Sequence, residues 1–148
     1  MTSALFSLSF LLAAPFWALM IVLPHWSWTR RIVASPWIVA PPALVYAVLV
    51  LPHLGTFLPA VSSPTLPGVQ GLLGTAGGAA AGWAHFIAFD LLAGRWIYLD
   101  SRERAMPALL TAPVLLLTIL FGPLGLLAHL ALRTRWAPAE PRPALQDA

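Results

Sequence analysis

The sequence predicts an all-α membrane protein, with four transmembrane helices packed into a small bundle. Charged side chains make up 9% of the 148 residues and hydrophobic ones 59%, whereas soluble domains carry roughly 25% charge and 45–50% apolar residues. Four apolar runs approach the length that a membrane span requires. The chain has no cysteine, which excludes disulfides, thiolate nucleophiles and cysteine-based metal sites. These observations exclude a soluble enzyme and a wholly disordered chain.

The first two predicted spans cover residues 3–23 and 37–54. The first contains no charged residue, and about 20 apolar residues cross the hydrocarbon core of a bilayer. No basic residue precedes Arg30 and no small-residue cleavage site follows the run, so an uncleaved helix is favoured over a signal peptide. In the second span, Pro41-Pro42 predicts an irregular first turn, because proline lacks the N–H that a helix interior needs.

The third predicted span, residues 71–99, contains a glycine stripe. Gly74, Gly78 and Gly82 repeat every four residues and would line one face of a helix. Glycine allows a second helix to approach closely within lipid. We therefore expect the stripe to contact a partner helix or a second copy of the chain.

The fourth predicted span, residues 107–132, contains helix-breaking residues in its second half. These are the Gly122-Pro123 pair and Gly125. They predict a kink, because sharp bends in long helices occur mostly where proline or glycine interrupts the hydrogen-bond ladder.

The connecting segments are charged or proline-rich. Residues 24–36 combine tryptophans and arginines, which is typical of a membrane interface, and residues 52–70 predict a loop lying against the membrane. Residues 100–106 predict a short, solvated, charged turn. The transmembrane domain therefore comprises residues 1–133, and the Pro- and Ala-rich residues 134–148 predict a disordered tail.

The charge pattern indicates a membrane partner. All eight basic residues are arginines and the net charge is +3. Their small clusters flank apolar runs, as membrane anchors do, and are too sparse for a phosphate backbone, so we expect the lipid bilayer and no nucleic acid as partner. Four spans would place both termini on one side, with four arginines in the odd connectors against three on the terminal side. So small a difference leaves the orientation open.

Asp90 needs the most explanation, because it lies within the third apolar run. An ionisable side chain at the bilayer centre costs about 2.5–3.5 kcal/mol even on lenient scales, and such residues are commonly functional. His85, Asp90 and Arg95 are spaced five apart and cannot share one face of a helix. We therefore expect Asp90 to pair with His129 of the fourth span. The alternative is a polar contact that only fixes helix packing.

The histidines do not predict a metal site. The four are scattered, and none is paired with another ligand three or four residues away on a helix, so we expect no metal. The chain also lacks phosphate-binding and dinucleotide-binding fingerprints. No cofactor is expected.

Two motifs carry a resemblance to a known family. The third span reads W-x-H-x4-D-x4-R-x2-Y-x-D from Trp83 to Asp100, and the fourth contains F-x-P-x-G-x3-H from Phe121 to His129. Together with the Pro-Phe-Trp segment of the first span, they resemble the abscisic-acid-deficient-four-like family, whose plant members are plastid proteins required for neoxanthin synthesis. The resemblance extends to about Arg133.

The resemblance implies a non-redox isomerase of an epoxy-carotenoid or a related isoprenoid lipid. Neoxanthin formation opens an epoxide of violaxanthin and converts the adjacent polyene end into an allene. For this chain it implies Asp90 as general acid, His85 or His129 as base, and Arg95 as the group that stabilises developing oxyanion charge. The candidate substrate contacts are Trp83, Phe86 and Tyr98. Helix packing or interfacial anchoring is the alternative for the first two of these.

Two other functions remain open from the sequence. One is a non-catalytic membrane subunit that binds such a lipid or another enzyme, and the other is a proton- or ion-handling membrane protein. The first span begins at residue 3 and leaves no room for a transit peptide, and all basic residues are arginine. These features favour a bacterial inner membrane as the location.

Overall fold

The computed structural model describes residues 1–136, and within them the chain is helical, with no strand. Two 3-10 turns, Pro36–Val39 and Leu51–His53, flank the third α-helix. The α-helices in chain order are α1 (Thr2–Val22), α2 (Ser27–Ala34), α3 (Ala40–Val50), α4 (Leu54–Ser62), α5 (Leu66–Leu73), α6 (Ala76–Glu103) and α7 (Ala108–Arg133). Most of the predicted tail, residues 137–148, lies outside the described residues.

Three helical segments in residues 1–136 are long and apolar enough to cross a membrane: Thr2–Val22, Pro36–Ser62 and Ala108–Arg133. Counting the pair α5 and α6, which is bent by 96°, as one span gives a fourth. The predicted class, an all-α protein with apolar helices of membrane-spanning length in a small bundle, is confirmed.

Helix α6 is the centre of the bundle, and small residues let its neighbours approach. At Gly94 a Cβ atom would overlap the ring of Trp17 from α1, so this glycine is needed for the close contact between α1 and α6. The Trp17 ring is only 4% exposed. A continuous core extends from this contact toward one end of the bundle, and it includes Met20, Leu91, Ile97, Tyr98 and Leu115.

The second apolar segment keeps its helical path despite its prolines. The segment begins with the 3-10 turn Pro36–Val39, which leads into α3. Pro41 and Pro42 themselves lie in the regular first turn of α3, so the irregular turn precedes the proline pair that was predicted to cause it. The predicted loop over residues 52–70 is wrong, because α4 and most of α5 form there. Two of its prolines, Pro52 and Pro67, lie in the first turn of a helix, where the missing N–H has no intrahelical partner to lose.

The third apolar run is divided between two helices. Helices α5 and α6 meet at an angle of 96°, and the Thr75 hydroxyl caps α6 by accepting the N–H of Gly78 at 2.9 Å. A Cβ atom at Gly78 would overlap the carbonyl of Leu72. The glycines therefore accommodate the chain's own α5, and Gly74 lies in the turn rather than on α6. A partner helix on this stripe stays a prediction.

Helix α7 contains the predicted kink, and the kink is a reversal of direction. Phe121 has non-helical dihedral angles (φ −147°, ψ 64°). Beyond it, Gly125 packs so closely on Thr118 that a Cβ atom would overlap that residue's backbone, although residues seven apart in a straight helix are roughly 10 Å apart. The two halves, residues 108–120 and 122–133, therefore form a helical hairpin. Each half extends about 18–20 Å at 1.5 Å per residue, which is short of a roughly 30 Å hydrocarbon core.

The hairpin returns the chain to the end of the bundle from which it entered. Arg133 and His129, late in α7, both bond to Asp100 near the end of α6, and Arg104 donates to the carbonyl of Trp136 at 2.8 Å. Residues 133–136, the last that the structure describes, therefore lie at the end opposite Met1, which lines a cavity with His53 and Thr75. The prediction that the four apolar runs return the chain to its starting side is wrong for the described residues.

All seven arginines of the described chain lie toward one end of the bundle. We call this the arginine-rich end, and it comprises residues 23–35, 95–107 and 133–136. The opposite end comprises Met1 and residues 51–75 and contains no charged side chain. The hairpin creates this asymmetry, since a straight α7 would carry Arg133 and Arg135 to the opposite end.

Candidate functional site

Asp90 lies at the midpoint of α6, about 20 Å along the helix from either end at 1.5 Å per residue. Its side chain is half-buried and packs against Gly122, where a Cβ atom would overlap the carboxyl group. Gly122 is the first residue after the break in α7. The tip of the hairpin and the carboxyl group of Asp90 therefore meet at mid-depth in the bundle.

The hairpin tip gives this carboxyl group a polar neighbour inside an apolar region. The first half of α7 ends at the break with carbonyls that lack an intrahelical partner, and the second half begins with N–H groups in the same condition. Pro123 contributes no N–H. Broken helices at mid-membrane depth are tolerated where protein covers them or where they line a cavity, and in transporters such half-helix ends form binding sites.

The predicted pairing of Asp90 with His129 is wrong. Within residues 1–136, the Asp90 carboxyl group makes no ion pair or side-chain hydrogen bond. The Nε2 atom of His129 is instead 2.9 Å from Oδ2 of Asp100. The physical reason is the reversal of α7, which carries His129 back to the arginine-rich end while leaving Gly122 beside Asp90.

Asp100 is the centre of a buried ionic cluster that the sequence analysis missed. Its carboxylate accepts hydrogen bonds from Arg104 Nε at 2.9 Å, His129 at 2.9 Å and Arg133 Nη2 at 2.8 Å. Trp96 completes the cluster, since its ring lies edge-on to the imidazole and 5.1 Å from the Arg133 guanidinium. The prediction of a solvated turn is wrong for Asp100, which is 9% exposed and within α6.

Two signals in the sequence point to this cluster. Asp100 and Arg104 are four residues apart, a spacing that brings side chains together on a helix. Asp100 is the last residue of the third-span motif and His129 is the last residue of the fourth-span motif. The cluster joins the last turn of α6 to the last turn of α7. Its geometry therefore closes the hairpin, and this assigns His129 a structural contact at the membrane end rather than a place beside Asp90.

Arg95 and Tyr98 hold the first connector against α6. Arg95 donates through Nη2 to the carbonyl of Ala34 at the end of α2, and the Tyr98 hydroxyl donates to the carbonyl of Pro24 at 2.8 Å. Tyr98 is 1% exposed. Arg95 thus satisfies a carbonyl at the C-terminus of α2 and Tyr98 one in the connector before α2, and neither makes a hydrogen bond with Asp90.

His85 and two of the predicted aromatic contacts, Trp83 and Phe86, lie on the outer surface of α6, whereas the third, Tyr98, is buried. The imidazole of His85 stacks on Phe89 with ring centroids 4.6 Å apart and lies 5.6 Å from the Tyr46 ring of α3. Phe86 is one turn from Asp90 and is 58% exposed. Trp83 stacks instead on Phe6 of α1. The structure thus keeps Phe86 one turn from Asp90, places His85 against Phe89 and Tyr46, and leaves Trp83 and Tyr98 elsewhere.

The resulting arrangement offers one ionisable group to an apolar ligand. Phe89 and Phe121 immediately precede Asp90 and Gly122 in sequence and are each more than half exposed, so an exposed aromatic side chain lies next to each residue of this contact along its own helix. A carboxyl group in such surroundings is most stable as the neutral acid unless it is paired. In residues 1–136 no three His, Cys, Asp or Glu side chains are grouped as a metal site would require, and the expectation of no metal or cofactor stays a prediction.

The fold and this buried acid define a small integral membrane protein. A family profile described as ABA DEFICIENT 4-like matches residues 4–129, so the chain belongs to that family. One curated relative is the chloroplastic protein ABA DEFICIENT 4 of Arabidopsis thaliana, which is 28% identical over 133 residues and 86% of this chain. The chain spans 59% of that relative's length. No solved structure matches the chain significantly.

These comparisons support the resemblance drawn from the two motifs and not the expected bacterial location. The relative's printed name places it in a chloroplast, and a bacterial inner membrane has no support from it. An integral membrane location is what the helices of this chain establish.

Proposed function

We propose that the chain is a non-redox isomerase of an epoxy-carotenoid or a related isoprenoid lipid, with Asp90 as its general acid. The carrying observation is the carboxyl group at mid-depth of α6, which packs on the hairpin tip and has no side-chain partner in the described residues. A rod-like apolar substrate dissolved in the bilayer reaches that depth from lipid without crossing the polar ends.

The reaction divides between two groups. Asp90 donates a proton to the epoxide oxygen while the C–O bond breaks, and a base removes a proton from the adjacent polyene carbon as the allene forms. One proton enters and one leaves, so atoms and electrons balance without an oxidant. Of the two predicted bases His85 is favoured, because its imidazole is exposed on α6, five residues from Asp90, and stacks on Phe89, whereas His129 is committed to Asp100.

Arg95 has a different role in this proposal. Arg95 lies five residues after Asp90 on α6, and its guanidinium donates to the Ala34 carbonyl. We propose that it positions the first connector, and that the backbone N–H groups at the start of the second half of α7 supply the positive potential for a developing oxyanion. Among the predicted aromatic contacts, Phe86 is retained as a substrate contact, because it is one turn from Asp90.

The test is pigment chromatography of membranes from a host that makes violaxanthin. The host expresses the chain, its Asp90→Asn variant or its Glu103→Gln variant. Glu103 is an exposed carboxylate on the same helix with no ion pair in the described chain. Its variant therefore controls for replacing a carboxylate of α6 with an amide away from the candidate site. We expect a new neoxanthin-like peak that Asp90→Asn abolishes and Glu103→Gln preserves, at equal amounts of folded protein.

An unchanged pigment profile with folded, membrane-inserted protein would contradict violaxanthin as the substrate. The non-catalytic alternative would then be favoured, in which the same exposed aromatic side chains bind an isoprenoid lipid for another enzyme. A product peak that survives Asp90→Asn would remove Asp90 from the chemistry and return it to a packing role.

A further inference from the structure

A cavity of about 640 Å³ opens at the arginine-rich end, between α2 and the last two turns of α6. It is separate from the Asp90 site, which lies about two turns deeper along α6 than Tyr98, the nearest lining residue of that helix. The residues that line it are Pro24, His25, Trp26, Ser27, Arg30, Arg31, Ala34, Tyr98 and Arg102.

The lining carries three guanidinium groups and no acidic side chain. Arg30 and Arg31 are exposed and form no ion pair within residues 1–136; Arg31 lies over the Trp28 ring at 5.3 Å. Two carboxylates lie near Arg102 in sequence: Asp100 is already occupied by Arg104, His129 and Arg133, and Glu103 is exposed and does not line the cavity. No ion pair within residues 1–136 therefore neutralises the three guanidinium groups of the cavity.

Neutral hydrogen-bond donors accompany the three guanidinium groups in the cavity. Arg102 lies 3.0 Å from Nδ1 of His25, and because a guanidinium can only donate, Nδ1 must accept and the ring proton must be on Nε2. His25 thus retains an N–H donor, and the Ser27 hydroxyl adds another. Guanidinium groups with hydroxyl and imidazole donors are the side chains that bind phosphate oxygens.

We propose that this cavity binds the phosphate headgroup of an anionic membrane phospholipid. Its position favours a lipid over a soluble phosphate, because α2 runs along the end of the bundle with Trp26 and Trp28 about half exposed, and tryptophan is enriched at headgroup depth. A lipid held here has its phosphate among the three arginines and its chains along the apolar surface of the bundle. The site is independent of the proposed isomerase activity.

The test is lipid retention by the purified full-length chain in a neutral detergent, measured by native mass spectrometry. The probes are phosphatidylglycerol, phosphatidylcholine with the same acyl chains, and inorganic phosphate as a competitor. The variants are Arg30→Gln and Arg31→Gln. Arg135→Gln is the matched control, because Arg135 is exposed at the same end but does not line the cavity. Arg102 is left intact, since it also supports the Met106 carbonyl.

We expect phosphatidylglycerol to bind and phosphatidylcholine to bind far less. Each cavity variant should weaken phosphatidylglycerol binding roughly fivefold, the effect of one basic residue facing an anionic lipid, while Arg135→Gln should match the unmodified chain. Equal retention of the two lipids, or an equal loss in Arg135→Gln, would overturn the site. Displacement of the lipid by inorganic phosphate at comparable concentration would overturn the lipid assignment in favour of a soluble phosphate.

Discussion

The carboxyl group of Asp90 occupies the space that a side chain would need at Gly122. This contact joins the middle of one helix to the tip of a hairpin, and both positions are fixed independently by packing elsewhere. The Trp17 ring of α1 packs against Gly94 and so fixes α6. Asp100 bonds to His129 and Arg133 and so fixes the end of the hairpin. The acid is therefore held from two sides by contacts that do not involve its own charge.

Replacing Gly122 with alanine should disturb the acid directly. The added methyl group overlaps the Asp90 carboxyl, and overpacking of this kind costs about 1–3 kcal/mol. We expect a lower unfolding temperature in detergent and loss of any activity that Asp90 supports. Gly77→Ala is the control, because nothing lies within 4 Å of its Cβ position. A Gly122→Ala variant as stable and active as Gly77→Ala would show that the contact is not needed.

Replacing Asp100 with asparagine should destabilise the protein more than any other carboxyl-to-amide change at the arginine-rich end. The change leaves two arginines and a histidine without their shared acceptor, and breaking a buried ion pair from one side costs about 3–5 kcal/mol. Thermal unfolding in detergent, compared with Glu103→Gln, measures the difference. Equal unfolding temperatures for the two variants would mean that the cluster contributes little to stability.

The Gly94→Ala substitution should separate α1 from α6. A Cβ atom there overlaps the buried Trp17 ring, which has no free space into which to move because it is 4% exposed. We expect a fall in stability of about 1–3 kcal/mol and a red shift of tryptophan emission as the ring becomes exposed. Restoration of stability by adding Trp17→Leu would identify the ring as the cause; an unaltered spectrum and stability for Gly94→Ala would contradict the contact.

If α7 is a hairpin, residues 27 and 134 lie on the same side of the membrane, whereas a straight α7 would place them on opposite sides. Because the chain has no native cysteine, single cysteines at Ser27, Ser63 and Thr134 can be labelled separately with a membrane-impermeant maleimide. We expect Ser27→Cys and Thr134→Cys to react from one side and Ser63→Cys from the other. The positive-inside rule places the arginine-rich end on the cytoplasmic side or its equivalent. If Thr134→Cys reacts together with Ser63→Cys, α7 crosses the membrane.

Composition and apolar run lengths were enough to predict the fold class and the extent of α1. The kink in α7 was also predicted from Gly122, Pro123 and Gly125, because these residues weaken a helix whatever surrounds them. The reversal was not predictable in the same way. It depends on Gly125 meeting Thr118 and on Arg133 meeting Asp100, which are contacts between residues distant along a straight helix.

In the candidate site, too, the sequence predicts what depends on local composition and not what depends on tertiary contacts. Asp90 stands out from the sequence alone, because an ionisable residue within an apolar run is costly at membrane depth unless it is paired. Its partners depend on tertiary structure. The charge and the span position of His129 favoured it as the partner of Asp90, whereas the reversal of α7 places it beside Asp100. The spacing of Arg95 along its helix did not predict its hydrogen bond to the Ala34 carbonyl.

The hairpin also bears on how the chain enters the bilayer. Residues 1–29 and 36–89 contain no Asp, Glu, Lys or Arg, and they include everything that reaches the opposite end. Each arginine of the described chain can therefore stay on the side where the protein is synthesised. Insertion of residues 1–136 therefore requires no guanidinium or carboxylate to traverse the hydrocarbon, and Asp90 enters only as far as its final depth.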